Sequence, residues 1–180
     1  MKAPLLLLAV VVATGAARAD DETMQMANAV QGFYQAYETF KPPDGIPTAD
    51  VRKRFEPFIS KALDNLLTDA ANAEDREQKT AKTPLPPLIS GDPFTPNFDG
   101  ATSYSVGVCT ADPRGARCRV ALSFQGDKPR DWTDTAWLVK TDDGWRVNDI
   151  EFDAKMEQGA SDRLSGTLRS VIDHAGALKQ

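Results

Sequence analysis

Histidine is nearly missing from this chain of 180 residues: His174 is the only one. Ser-His-Asp or Cys-His catalysis would rest on that single imidazole. It lies near the end of a C-terminal helical pattern, where an imidazole usually complements the helix dipole or faces water. Cysteine is scarce too, with Cys109 and Cys118 alone, and a four-ligand structural metal site would need more ligands than two cysteines and one histidine supply. The chain has no G-x-G-x-x-G, Walker, G-x-S-x-G or H-E-x-x-H pattern, so no cofactor is expected. "TDDG" at 141–144 lacks the regularly spaced oxygens of a calcium loop.

Basic charge is also short, at 21 Lys and Arg against 26 Asp and Glu. The densest basic run, "VRKRF" at 51–55, fits the wet face of a helix. Nucleic acid and anionic lipid both want Lys/Arg clusters, so neither is expected as a partner. Long apolar stretches are limited to one. Lys2, the run Leu5 to Ala13 and the small-x-small site Ala17-Arg18-Ala19 have the three-part form of a secretory signal peptide. Pro4 to Ala17 is 14 residues, short of the ~20 a spanning helix needs. The expectation is cleavage of residues 1–19 and a domain of residues 20–180 that is periplasmic or secreted, without membrane insertion. Losing Lys2 and Arg18 but no acid takes the net charge from −5 to −7.

What is present reads as helices first and strands later. Met26, Val30, Phe33, Tyr34, Tyr37 and Phe40 form one helical stripe over 21–41, capped at Asp20 or Asp21 and stopped by Pro42-Pro43. A short helix follows near 48–55. A longer one should start with Pro57 in its first turn and bury Phe58, Ile59, Ala62, Leu63, Leu66, Leu67 and Ala70. From Asn72 to Lys82 no apolar face remains, so this end is expected to be solvated or frayed.

After Gly100 the period changes to two. Tyr104, Val106 and Val108 begin one strand, and Cys118, Val120, Leu122 and Phe124 mark the next. Thr135, Trp137 and Val139 mark a third, and "WRVNDIEF" is the fourth. The two cysteines flank the turn residues Asp112-Pro113-Arg114-Gly115, which predicts a disulfide stapling a hairpin. In the fourth strand Trp145 and Val147 are odd while Ile150 and Phe152 are even, which predicts a bulge between Val147 and Ile150. Leu164, Leu168, Val171, Ile172 and Ala175 make a closing helix, with Ser161 or Asp162 as its cap. The expected fold class is α+β, with N-terminal helices on a strongly curved, cone-like antiparallel sheet and a C-terminal helix.

Between the helices and the sheet lies "PLPPLISGDPFTPNFDGATSYSVG". A linker would be poor in large apolar groups, yet Leu85, Leu88, Ile89, Phe94 and Phe98 are threaded through this one. Residues 84–100 are therefore expected to form an ordered strap on the domain. This segment, with "WTDTAWLVKTDDGWRVNDIEF", resembles an uncharacterised family of small exported bacterial proteins that is similar to the nuclear-transport-factor-2-like superfamily. The resemblance spans about Phe33 to Phe152 and implies a cone-shaped α+β fold and an exported protein. It carries over no catalytic residue.

Candidate site residues come from the strap and the third strand. Asp92, Phe94, Phe98 and Asp99, with Trp132 and Asp134, are placed to line a pocket or a protein-binding edge. One of the carboxylates Asp92, Asp99, Asp131, Asp134, Asp149, Glu151 or Asp153 inside the cone would have the raised pKa of a general base. The same acids otherwise cap turns or form the wet side of a half-exposed strand. The leading expectation is a periplasmic, non-enzymatic binder of a small molecule or another envelope protein, an immunity protein or inhibitor included. The alternative is a hydrolase or isomerase that uses a carboxylate in the cone.

Overall fold

The computed structural model describes residues 14–41, 44–153 and 161–177. The apolar run Leu5 to Ala13 and the Pro42-Pro43 pair expected to stop the first helix lie outside the described residues. The element order is α1 (Thr14–Glu38), α2 (Ala49–Phe55), α3 (Lys61–Thr80), β1 (Ser103–Asp112), β2 (Gly115–Phe124), β3 (Arg130–Thr141), β4 (Gly144–Phe152) and α4 (Leu164–Ala177). The strands form one antiparallel meander in the order β1-β2-β3-β4. The fold is α+β, and no described helix is long and apolar enough to cross a membrane.

The aromatic stripe of α1 is core. Met26, Val30, Phe33, Tyr34 and Tyr37 are all buried against the sheet and the strap. The helix runs through Asp20 and Asp21, so neither caps it. Gly32 belongs to the same packing: a Cβ there would stand 2.2 Å from the Phe58 ring, so only glycine lets that ring lie on α1.

Helix α3 starts later than the sequence predicts. Pro57 lies within the turn that follows α2, and the N-cap is Ser60, whose hydroxyl accepts from the Leu63 N–H. Residues 58–60 pair with the sheet instead of coiling. Ile59 bridges Val147 in parallel; the Ser60 N–H donates to the Val147 carbonyl and the Val147 N–H to that of Phe58, both at 2.8 Å. Arg163 bridges Glu151 further along the same edge of β4. That edge is thus covered twice, which removes free backbone groups a foreign strand would seek.

The tail of α3 is not frayed. It stays helical to Thr80 and buries Ala73 and Glu77. Alanine is too small to signal a stripe, yet it allows the close approach of α3 to α4.

The β4 bulge falls where expected. Trp137 pairs with Asp149 and Leu138 with Val147, leaving Asn148 extra. Both halves of the strand therefore bury Val147 and Ile150 together. Parity fails in two other strands. A register shift in β1 between Val106 and Cys109 turns Val108 outward, 74% exposed. In β3 the innermost residues are Asp134, Ala136 and Leu138, not Thr135, Trp137 and Val139. The Cys109–Cys118 disulfide joins directly paired residues of β1 and β2.

Candidate functional site

The strap divides in two. Residues 84–87 are exposed, whereas 91–97 are buried. Phe94 is the plug of the second half. Its ring lies 5.1 Å from Phe55, 5.6 Å from Phe33, 6.0 Å from Phe40 and 6.2 Å from Tyr37, centroid to centroid. Such edge and offset contacts add about 1 kcal/mol each to the area buried. Phe94 is core and offers no surface to a ligand.

Asp92 follows the plug inward. Its carboxylate accepts from the Tyr37 hydroxyl, from the Phe94 N–H at 2.7 Å and from the Thr95 hydroxyl at 3.3 Å. Tyr37 in turn accepts from the Ala101 N–H at 2.8 Å, so one tyrosine ties α1 to both ends of the buried loop. Burial pushes the Asp92 carboxyl up to about 6, against the pull of Tyr37, Phe94 and Thr95. Burial also drives the Tyr37 hydroxyl far upward, helped by the negative charge of Asp92.

Asp134 lies on the inner face of β3 and is fully buried. It accepts from the Trp132 indole N–H at 3.1 Å and from the Asp153 N–H at 3.3 Å. Burial pushes it up to about 7; those two donors oppose the rise, and the charges of Asp153 and Asp92 add to it. The Tyr34 hydroxyl, also buried, has no hydrogen-bond partner, and burial with the charges of Asp134 and Asp92 raises it well above the usual phenol range. An open cleft of about 370 Å³ borders Trp132, Thr133, Ser103, Ser105 and Ser123 but not Asp134.

No family model, curated protein or solved structure matches this chain.

Asp149 is not on a wet side. It accepts from the Ser165 N–H at 2.9 Å, the Ser165 hydroxyl at 2.7 Å and the Ile150 N–H at 2.9 Å. It thus caps α4 from the sheet, where Ser161 or Asp162 was expected. Ser161 accepts only from the Arg163 N–H, ahead of the helix. Arg163 bonds Glu151 and Asp149 and lies over the Trp137 ring at 5.1 Å.

Of the six candidate residues, Asp92, Phe94 and Asp134 are thus buried and engaged inside the molecule. Trp132 is half-buried, with Arg130 over its ring at 5.2 Å. Phe98 and Asp99 remain at the surface, and Phe98 is 47% exposed. Its backbone is held: the Asp92 N–H donates to the Phe98 carbonyl at 3.0 Å, and the Gly91 carbonyl accepts from the Gly45 N–H at 2.8 Å. Gly91 has φ +76° and would put a Cβ 2.6 Å from the Phe98 carbonyl oxygen, so this closure requires glycine. Sequence reasoning passed over Tyr34 and Tyr37 as functional groups, since an aromatic stripe gives no hint of where its hydroxyls end.

Proposed function

We propose that this is an exported, non-enzymatic binding protein whose partner is another envelope protein, gripped at the Phe98–Asp99 turn. One observation carries the reading: a nearly half-exposed aromatic ring sits on a backbone closed by its own hydrogen bonds. An aromatic anchor ordered in advance loses little entropy on binding, which is how hot-spot residues earn their affinity. The interior favours a surface mode of recognition, because Phe33, Tyr34, Tyr37, Phe55 and Phe94 fill the space between α1, the strap and the sheet. The disulfide suits an oxidising compartment, and the signal-like N-terminus agrees with export to the periplasm.

The test is affinity capture from periplasmic extract with wild type, Phe98→Ser and Asp99→Lys side by side. A partner retained by wild type and lost from both variants, at unchanged melting temperature, is expected. An identical set of captured proteins for all three would refute the turn as the anchor.

A second reading is favoured by Asp134, a carboxylate wholly buried on the inner face of β3, and by the buried Tyr34 hydroxyl that has no hydrogen-bond partner. In it, Asp134 is the general acid or base of a small hydrolase or isomerase. Turnover of ester or enolisable ketone probes by wild type, abolished in Asp134→Asn, would replace the first reading by this one.

A further inference from the structure

The end of α3, the start of the strap and the end of α4 enclose a cleft of about 610 Å³, within the ~300–1,000 Å³ range of small-molecule sites. Its lining includes Arg76, Glu77, Lys79, Lys82, Leu85 and Ala175.

Glu77 is the anomaly. It is only 8% exposed, and its Oε1 is buried with no hydrogen-bond partner. Buried carboxylates are ordinarily paired, because an unpaired one loses its hydration without replacement. Glu77 also continues the helical stripe of Leu63, Leu67 and Ala70, a place where an aliphatic residue would pack without penalty.

The cleft walls carry two further unusual features. Leu85 is 39% exposed, yet it is held in place: its N–H donates to Gln78 Oε1 at 3.2 Å and its carbonyl accepts from Gln78 Nε2 at 2.8 Å. Arg76, Lys79 and Lys82 stand exposed at the rim. None of the ion pairs among the described residues includes them.

A buried negative point, an aliphatic wall and a positive rim are complementary to a small zwitterion with an apolar body. We propose that this cleft binds an aliphatic amino acid or short peptide. The ligand's ammonium meets Glu77, its carboxylate meets the rim cations, and its side chain covers Leu85 and Ala175. A simple amine would be repelled by the rim, and a simple carboxylate by Glu77. The site shares no residue with the Phe98–Asp99 turn and does not depend on it.

The experiment is isothermal titration of the full mature chain with Leu-Leu, leucinamide (ammonium only) and N-acetyl-leucine (carboxylate only). Leu-Leu is expected to bind at least about tenfold more tightly than either blocked analogue. Glu77→Gln should weaken Leu-Leu about tenfold, as should the double variant Lys79→Met with Lys82→Met. Phe98→Ser should leave Leu-Leu binding unchanged, which separates this site from the partner surface. The proposal is overturned if Leu-Leu gives no saturable heat at millimolar concentration, if the analogues bind equally well, or if Glu77→Gln binds as wild type does. The three ligands decide the matter on wild type alone should a variant misfold.

Discussion

The two halves of the strap are held by opposite means. Residues 89–97 are fastened by side chains that leave the strap for the core: Ile89, Phe94 and the carboxylate of Asp92. Residues 84–88 are fastened by side chains that come to the strap from α3. Glu74 accepts the Leu88 N–H at 2.8 Å, and Gln78 clasps Leu85. Apolar burial makes the first half part of the core; the second is held at the surface by hydrogen bonds to α3, which contribute less. A segment rich in proline can thus be buried at one end and surface-lying at the other, depending on which partner supplies the contacts.

The comparison is broken most directly at Phe94. Phe94→Ala should cost about 3–5 kcal/mol in denaturant unfolding, because four rings lose their common neighbour. A loss below about 1 kcal/mol would mean that the plug is not structural.

Next in size is the pH dependence of Asp92. Its folded pKa is raised from 3.8 to about 6, so the unfolded chain releases this proton first as pH rises. Over that window the folded state binds more protons, and the group's contribution to stability falls with rising pH. The contribution is present below the unfolded value and is reduced by about 3 kcal/mol once pH passes the folded value. Asp92→Asn should therefore gain on wild type between pH 4 and 6, followed by chemical denaturation at several pH values. An unchanged difference across that range would contradict the buried acid.

Gln78→Ala should cost only about 1 kcal/mol. Its clearer effect is local: trypsin and chymotrypsin should cut 82–88 faster while 89–97 stays protected. Equal protection of both halves would erase the distinction. The smallest effect is expected at Phe98, where Phe98→Ser should shift stability by less than about 0.5 kcal/mol, leaving any lost binding attributable to recognition.

Much of the fold was legible from residue types. The α1 stripe, the hairpin between the cysteines, the β4 bulge and the burial of Ile89 and Phe94 all follow from periodicity, turn chemistry and the presence of large apolar groups where a linker would have none. Val108 faces out because a bulge shifted its parity, and Asp134 faces in because β3 turns its even residues to the buried face of the sheet. The tail of α3 looked solvated because alanine and glutamate do not register as apolar. Glu77 was nonetheless traceable, since it falls seven residues after Ala70 on the same helical face. The candidate site was less legible: six residues were named, and the structure puts three of them inside.

By itself the sequence determined the order of helices and strands, that the strap must bury something, and that the two cysteines flank one turn. These are local properties, set by backbone propensity and the spacing of apolar side chains. Only the tertiary structure decided which carboxylates lie in water, that Asp149 caps a helix from another element, and that Phe98 is left outside while Phe94 is swallowed. Those outcomes depend on what approaches from elsewhere in the chain, and burial is a property of the neighbours as much as of the residue.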